Sequence, residues 1–511
     1  MIRRLLIANR GEIAIRIART AREMGIRPFG VYSRADADAP HRRVMEDSVD
    51  IGGPLPSESY LDIDAILRAA HETKVDAIHP GYGFLSENPH FARRCQEEGL
   101  LFVGPPAQAM TLSGDKIASR RAMAEAGVPV TRGVDRVIRS AEEARDIADR
   151  LGYPVLFKAT AGGGGIGMSR VDSPKAVAKA FEAARSIALA NFGNPDLFLE
   201  AYIPRARHIE VQVLLVPRGR GVHLGERECS VQRRHQKLVE ETPSPVVDPI
   251  QRRRIGELAL KALRGLGYVN AGTVEFLWHR GRFTFNEINA RLQVEHPVTE
   301  AVTGIDLVRQ QILIASGEPP DISQNEISFH GHALEARINA EDPLRNFLPS
   351  PGRVVAYHEP SGPGVRVDSG VAAGSEVPPF YDPLLAKLIV HGRSRTDSLH
   401  RMAGALDGYE IRGVRTTLPF HAALLREPSF RKGVLWTTMV ADRRIVERMK
   451  SRGPWEERVA ALAASIASGP GPDSFRRRLN LRSAVPTRWV LAGRRETTGG
   501  GDHAVPPRRR W

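Results

Sequence analysis

The stretch FNEINARLQVEHPVTE, residues 285–300, sets Glu287, Asn289, Arg291, Gln293 and Glu295 at every second position, with Ile288, Ala290, Leu292 and Val294 between them. That is the period of an extended chain, whose successive side chains point to opposite faces. Two acids, two amides and an arginine would then share one edge. A solvated strand face is the ordinary explanation for such alternation, but three neighbouring features favour a chemical one.

The first is GTVEFLWHRGRFTFNEIN, which reads as a hairpin turning at 279–282. A three-residue loop from Arg280 to Arg282 places Glu275 directly opposite Glu287, at about 4.5–5.5 Å between Cβ atoms, where like charges repel. A cation between the two relieves that repulsion. Glu275, Glu287 and Asn289 offer only oxygen, which suits magnesium or manganese better than zinc.

The second feature is YPVLFKATAGGGGIGMSRV, where an apolar strand ends in Lys158 and Gly162 to Gly165 and Gly167 follow. Consecutive glycines let backbone N–H groups approach phosphate oxygens. No GxxxxGK[ST] loop occurs, and ANRGE after the first strand is not GxGxxG, so neither a Walker site nor a dinucleotide fold is supported. The third is ERECSVQRRHQKLVEE, which crowds Arg233, Arg234, His235 and Lys237 without helical spacing and adds weight to an anion site.

These blocks, with HPGYGFLSEN at 79–88 and GHALEARINAEDP at 331–343, stand in the order and spacing of biotin carboxylase, an ATP-grasp enzyme. The chain resembles that family over roughly residues 1–446. The resemblance implies two divalent ions, Mg2+ or Mn2+, held by Glu275, Glu287 and Asn289. It implies ATP bound by Lys116, Lys158, His208, Gln232, His235 and Leu277, with Gly164 and Gly165 over the phosphates and Glu200, Ala201, Tyr202 and Ile203 as the adenine-side hinge. Bicarbonate falls to Lys237, Arg291, Gln293 and the Val294 backbone, with Glu295 as its base, and Arg337 faces the biotin ring. Against the family pattern, Ala161 replaces a glycine, Ile166 a basic lid residue and Ala201 a common lysine.

These residues need elements to hold them. LLIAN followed by EIAIRIARTAREMG begins an α/β alternation. The resemblance implies a doubly wound α/β amino-terminal domain (1–115), a helical linker (116–129), an ATP-grasp lid (130–203) and an α+β carboxyl-terminal body (204–446). At about 3.3 Å per residue, Glu287 to Glu295 would span roughly 26 Å, too far for one reaction, so the chain is expected to bend after Asn289.

A chain of 511 residues with 42% hydrophobic content can bury several cores. Two cysteines, Cys95 and Cys229, are too few for a disulfide framework and point to the cytoplasm. The opening MIRRLLIANRGE breaks too early for a signal peptide, and no apolar run approaches the ~20 residues of a membrane helix. From Lys450 onward thirteen basic residues stand against five acidic ones, so this stretch holds +8 of the net +14. It is expected to be a weakly ordered basic tail, with EERVAALAASIA as a short helix, in preference to a nucleic-acid contact.

No Met-Lys-Met attachment signature is present, and Arg448-Met449-Lys450 is not one. Biotin is therefore expected on another polypeptide, a carboxyl carrier protein, with a carboxyltransferase on a further chain choosing the acyl acceptor, such as acetyl-CoA or propionyl-CoA. The resemblance further implies a homodimer. Two other readings are a different ATP-grasp ligase, which would have no use for RLQVEHP and Arg337, and a noncatalytic binding protein tethered by the basic tail.

Overall fold

In the computed structural model, residues 2–161, 165, 167–217, 220–318 and 320–450 are described. Gly162 to Gly164, Ile166 and the basic tail with its EERVAALAASIA stretch lie outside them. Up to Met449 the chain forms one compact unit. None of the described helices is long and apolar enough to cross a membrane.

The first sheet is five-stranded and parallel, in the order β3-β2-β1-β4-β5, built from β1 (Arg4–Ile7), β2 (Arg27–Tyr32), β3 (Ser48–Asp50), β4 (Ala77–His79) and β5 (Leu101–Phe102). Its central strand explains why LLIA carries no polar residue. Leu5 and Ile7 enter one core with the helix Gly11–Glu23, while Leu6 and Ala8 enter another with the helix Ile63–Glu72. Helices on both faces are the doubly wound arrangement expected.

Next comes a three-stranded antiparallel sheet of β6 (Val155–Ala159), β7 (Ser169–Val171) and β8 (Leu197–Ala201), with β6 central. Helices Ala141–Leu151 and Val177–Phe192 cover one face, where Phe157, Phe181 and Leu199 share a core. Strand alternation then turns Lys158, next to Phe157, to the opposite face. The preceding helix is Lys116–Glu125, capped by the Asp115 side chain on the N–H groups of Ile117 and Ala118.

The largest sheet has eight strands. It begins β13-β12-β9-β10-β11-β14, from β9 (Arg207–Leu215), β10 (Gly221–Arg233), β11 (Gln236–Thr242), β12 (Asn270–His279), β13 (Arg282–Asn289) and β14 (His332–Asn339). Strands Leu384–Gly392 and Val365–Ser369 complete it.

The expected hairpin is present, and Glu275 does pair with Glu287. Its loop differs, because the closing pair is His279 with Arg282, which leaves a two-residue turn of Arg280 (φ 48°) and Gly281 (φ 82°). Two positive φ values are what a tight hairpin turn requires. A bulge then inserts one extra residue, Asn286, opposite the Glu275–Phe276 step and restores the Glu275–Glu287 pairing.

The strand reading of 287–295 holds only to Asn289. Residues 290–295 turn, and the helix His296–Thr303 begins directly after Glu295. The bend therefore falls where the length argument put it.

Candidate active site

The cleft between the small sheet and the eight-stranded sheet has a volume of about 540 Å³. Of the residues singled out in the sequence, Lys116, Lys158, Gly165, Glu200 to Ile203, His208, Gln232, His235, Lys237, Glu275, Leu277, Glu287, Asn289, Arg291, Gln293, Val294 and Arg337 line it. Glu295 is fully buried at its floor, and Gly164 lies outside the described residues.

The floor is an ion cluster. Lys237 Nζ donates to Glu210 Oε2 at 2.5 Å, Glu275 Oε1 at 3.0 Å and Glu295 Oε1 at 2.5 Å. Three buried carboxylates thus meet on one ammonium. Burial would lower the Lys237 pKa, but these carboxylates outweigh it and hold the ammonium well above its usual range. The other oxygen of Glu295 accepts from Arg337 Nη2 at 2.8 Å. Burial pushes the Glu295 pKa up, while Lys237, Arg337 and Arg227 outweigh that and keep it well below the usual carboxylate range.

Each remaining acid keeps a second partner. Glu210 accepts from Arg227 Nε at 2.5 Å, and Arg227 is itself anchored by Gln212, Thr273 and Thr299. Glu275 Oε2 lies 2.9 Å from His208 Nε2, and Asn289 Nδ2 donates to its Oε1 at 2.9 Å. The His208 pKa is raised, because Glu275 outweighs the effect of burial.

At the cleft's other wall Lys158 Nζ donates to Asn286 Oδ1 at 3.1 Å and pairs with Glu200 Oε2 at 3.0 Å, while Lys116 Nζ lies 3.6 Å from Glu287 Oε2. Glu200 also accepts from Arg120 Nη1 at 2.9 Å, so its side chain ties the helix before the small sheet to that sheet. The backbone after it is held by Ala201 N donating to Arg132 O at 2.7 Å and Tyr202 N donating to Pro154 O at 3.0 Å.

Gly165 sits at φ +76°, where an added Cβ would lie 2.5 Å from His235 Cβ. No other residue type fits this contact of loop and turn without displacement. His235 itself belongs to the tight β10–β11 turn with Arg234, at φ 69° and 48°.

The basic cluster of the sequence therefore does not act as one patch. Arg233 Nη2 donates to Asn346 O at 2.5 Å, outside the cleft, Arg234 is exposed at the turn, and Lys237 alone points into the acids. A strand that alternates its faces and a two-residue turn separate residues that are adjacent in sequence.

After the bend, Arg291 Nε donates to Glu87 Oε2 at 3.0 Å and its Nη1 to Gln293 Oε1 at 2.9 Å, and Glu87 also accepts the Ala290 N–H at 2.8 Å. Gln293 Nε2 is buried without a partner. A buried amide donor left open beside a guanidinium suits an anion.

Family profiles described as "Biotin carboxylase, N-terminal domain", "Carbamoyl-phosphate synthase L chain, ATP binding domain" and "Biotin carboxylase C-terminal domain" match residues 1–110, 115–322 and 335–442. Biotin carboxylase 2 of Bacillus subtilis is 49% identical over 438 residues, covering 86% of this chain and 98% of its own. The chain belongs to the biotin carboxylase family. It is an ATP-dependent ligase with the ATP-grasp fold. A pyruvate carboxylase subunit from Methanothermobacter thermautotrophicus is 48% identical over 484 residues, 92% of this chain and 99% of that one. The biotin carboxylase domain dimer of Hydrogenobacter thermophilus 2-oxoglutarate carboxylase, solved with MgADP, ADP and bicarbonate, superposes with TM-score 0.86 at 44% identity, over 89% of this chain and 100% of that chain.

Several residues that build this cleft of a biotin carboxylase family member escaped the sequence reading. Glu210 and Arg227 carry the floor, and Glu240 accepts from Arg337 Nε at 2.6 Å. The alternation His208, Glu210, Gln212 was available as a signal. Asn286 gave none, because only the bulge turns it to the cleft.

Proposed function

We propose that this cleft carboxylates biotin with ATP and bicarbonate through carboxyphosphate, as the first half-reaction of a biotin-dependent carboxylase. The observation that supports the reading best is the clamp on Glu295 by Lys237 and Arg337, beneath a wall that carries Lys116 and Lys158.

ATP lies with its phosphates between Lys116 and Lys158 under Gly165. Its base sits by Glu200 to Ile203, Leu277, His208, Gln232 and His235. Glu275, Glu287 and Asn289 would hold two Mg2+ or Mn2+ ions, and their all-oxygen donor set fits such ions. Bound there, they would neutralise phosphate charge during transfer.

Bicarbonate fits Arg291, Gln293 Nε2, the Val294 backbone and Lys237. Glu295 takes its proton as a bicarbonate oxygen attacks the γ-phosphorus and ADP leaves. A carboxylate held well below its usual pKa is a poor base. An arriving anion draws Lys237 towards itself, and Glu295 recovers basicity only when substrate is in place. Carboxyphosphate breaks to carbon dioxide and phosphate, the phosphate takes the ureido proton of biotin, and the ring nitrogen attacks carbon dioxide. Arg337 stabilises the intervening enolate, a role that suits a permanently charged planar donor. A cavity of about 330 Å³ beside Arg337, lined also by Tyr82, Gln236 and Asn339, offers room for the ring.

The same reading includes the division at 1–115, 116–129, 130–203 and 204–446, and a homodimer, supported by the dimeric Hydrogenobacter thermophilus domain. It also includes biotin on a carrier protein, a carboxyltransferase partner and a cytoplasmic location, the last supported by two buried free cysteines. The acceptor extends beyond acyl-CoA to 2-oxo acids, since one relative belongs to a pyruvate carboxylase while others are named only as biotin carboxylases.

The test is ADP release with Mg2+, ATP and bicarbonate, with and without free biotin, beside Glu295→Gln. Biotin-stimulated turnover that the variant loses supports the assignment. ADP release indifferent to biotin favours another ATP-grasp ligase.

A further inference from the structure

Behind Arg337 lies a buried acid that the reaction above does not use. Glu335 stands two residues before Arg337 on β14, on the same face, directly opposite Glu240 of β11 and Ile389 of the next strand. The helix His296–Thr303 packs over that face, with Val298 and Val302 in a core with Ala333 and Ile389. Both Glu335 oxygens are buried without a hydrogen-bond partner, and so is Oε2 of Glu240.

The supply of positive charge is short. Arg337 serves both Glu240 and Glu295, and Lys387 is committed to Glu12 at 3.1 Å and to the Val294 carbonyl at 3.1 Å. A carboxylate with no donor in an apolar setting keeps its proton. Opposed strand positions bring Cβ atoms to about 4.5–5.5 Å, so rotation about side-chain bonds suffices to join the two carboxyl groups by a hydrogen bond.

We propose that Glu240 and Glu335 are paired positioning residues for carboxylation: Glu335 stays protonated and serves Glu240, and the charge on Glu240 sets how much of Arg337 remains for the anion in the cleft. The inference rests on the reading that Arg337 faces biotin.

Burial, with Glu295 adding to it against Arg337, raises the Glu240 pKa to about 7, and burial with Glu240 raises that of Glu335 well above the carboxylate range. Glu240 therefore gains its charge as pH rises through neutrality. The other groups facing the pair are Lys237 on β11, Cys229 on β10, Lys387, and Glu295 and His296 at the start of the helix above. Cys229 and His296 add no charge near neutrality, since burial raises the thiol pKa and lowers that of the imidazole.

The measurement is KM for free biotin in the ADP-release assay from about pH 6 to about pH 8.5, a window centred on the Glu240 ionisation. The wild-type KM is expected to rise several-fold across it as Glu240 draws Arg337 back. Glu240→Gln should hold KM low and flat. Glu335→Leu removes the donor to Glu240 and should move the rise to higher pH, whereas Glu335→Gln keeps a donor and should leave the rise near its wild-type position. A residue that only fills space would not separate Leu from Gln in this way. A flat wild-type KM, or Glu335→Leu and Glu335→Gln behaving alike, overturns the inference while biotin stimulation persists. Should a Glu335 variant not fold, the wild-type and Glu240→Gln profiles decide, since parallel profiles overturn the proposal. Loss of biotin stimulation at every pH in the wild type overturns the underlying reading and the inference together.

Discussion

Replacing Lys237 with methionine keeps most of the side chain's bulk and removes the one charge on which three acids converge. At an effective dielectric of about 20, each N–O pair at roughly 2.5–3 Å is worth about 6 kcal/mol of gross attraction, and desolvation offsets most of the sum. Breaking a buried pair typically costs about 3–5 kcal/mol. The low end applies here, because Glu210 keeps Arg227, Glu275 keeps His208 and Glu295 keeps Arg337. The sign with pH follows from Glu275 and Glu295, whose folded pKa values lie below the usual range despite burial. Such groups contribute stability above the unfolded carboxylate pKa and lose it as pH falls. The variant forfeits much of that contribution, so its deficit should be about 3 kcal/mol near pH 7 and shrink towards about pH 3, below the unfolded carboxylate pKa, where the wild type loses the same contribution. Urea unfolding at the two pH values measures it, with the larger loss of midpoint at the higher pH. ADP release should fall by roughly a hundredfold or more. A deficit equal at both pH values, or below about 1 kcal/mol, would refute the reasoning that Lys237 neutralises this cluster.

Gly165→Ala should raise KM for ATP several-fold with little change in the melting profile, since the added methyl meets His235 in a loop contact and not in a core; equal KM values would count against the loop's role over the nucleotide. Asp368, held below its usual pKa by Lys387 and Arg366 against burial, contributes stability that is lost as pH falls below about 4. Asp368→Asn should therefore be less stable than wild type at neutral pH and converge with it in acid, as followed by urea unfolding. Chelation of divalent ions should abolish ADP release and added Mn2+ should restore it, while Glu287→Gln should raise the metal concentration needed for half-maximal rate. Glu87→Gln, which weakens the hold on Arg291 and on the Ala290 N–H, should raise KM for bicarbonate more than KM for ATP.

Much of the site was legible because strand alternation fixes the facing side chains locally. The pairing of Glu275 with Glu287 emerged from the sequence by two departures that cancel, a turn one residue shorter than expected and a bulge one residue longer. Period alone does not reveal either, since both come from backbone geometry at Arg280, Gly281 and Asn286. The basic run was informative only in part for a related reason, as His235 and Lys237 line the cleft while Arg233 and Arg234 leave it at the turn. Glu210, Glu240 and Glu335 went unread because a buried acid in a strand announces itself only through its cross-strand partner. That partner is fixed by long-range pairing.

The bulge at Asn286 also fixes what kinds of change this hairpin can absorb. In a regular strand, Asn286 and Glu287 would point to opposite faces, yet both line the cleft, with Asn286 on Lys158 and Glu287 by Lys116. Two consecutive codons thus serve one surface. Deleting a single residue between Arg282 and Glu287 would be taken up by the bulge: Glu287 would stay opposite Glu275, and the loss would be the second group on this wall, the Asn286 contact with Lys158. Among descendants of this sequence, the hairpin can therefore shorten by one residue and keep its acid pair, because the bulge holds the residue that register can spare.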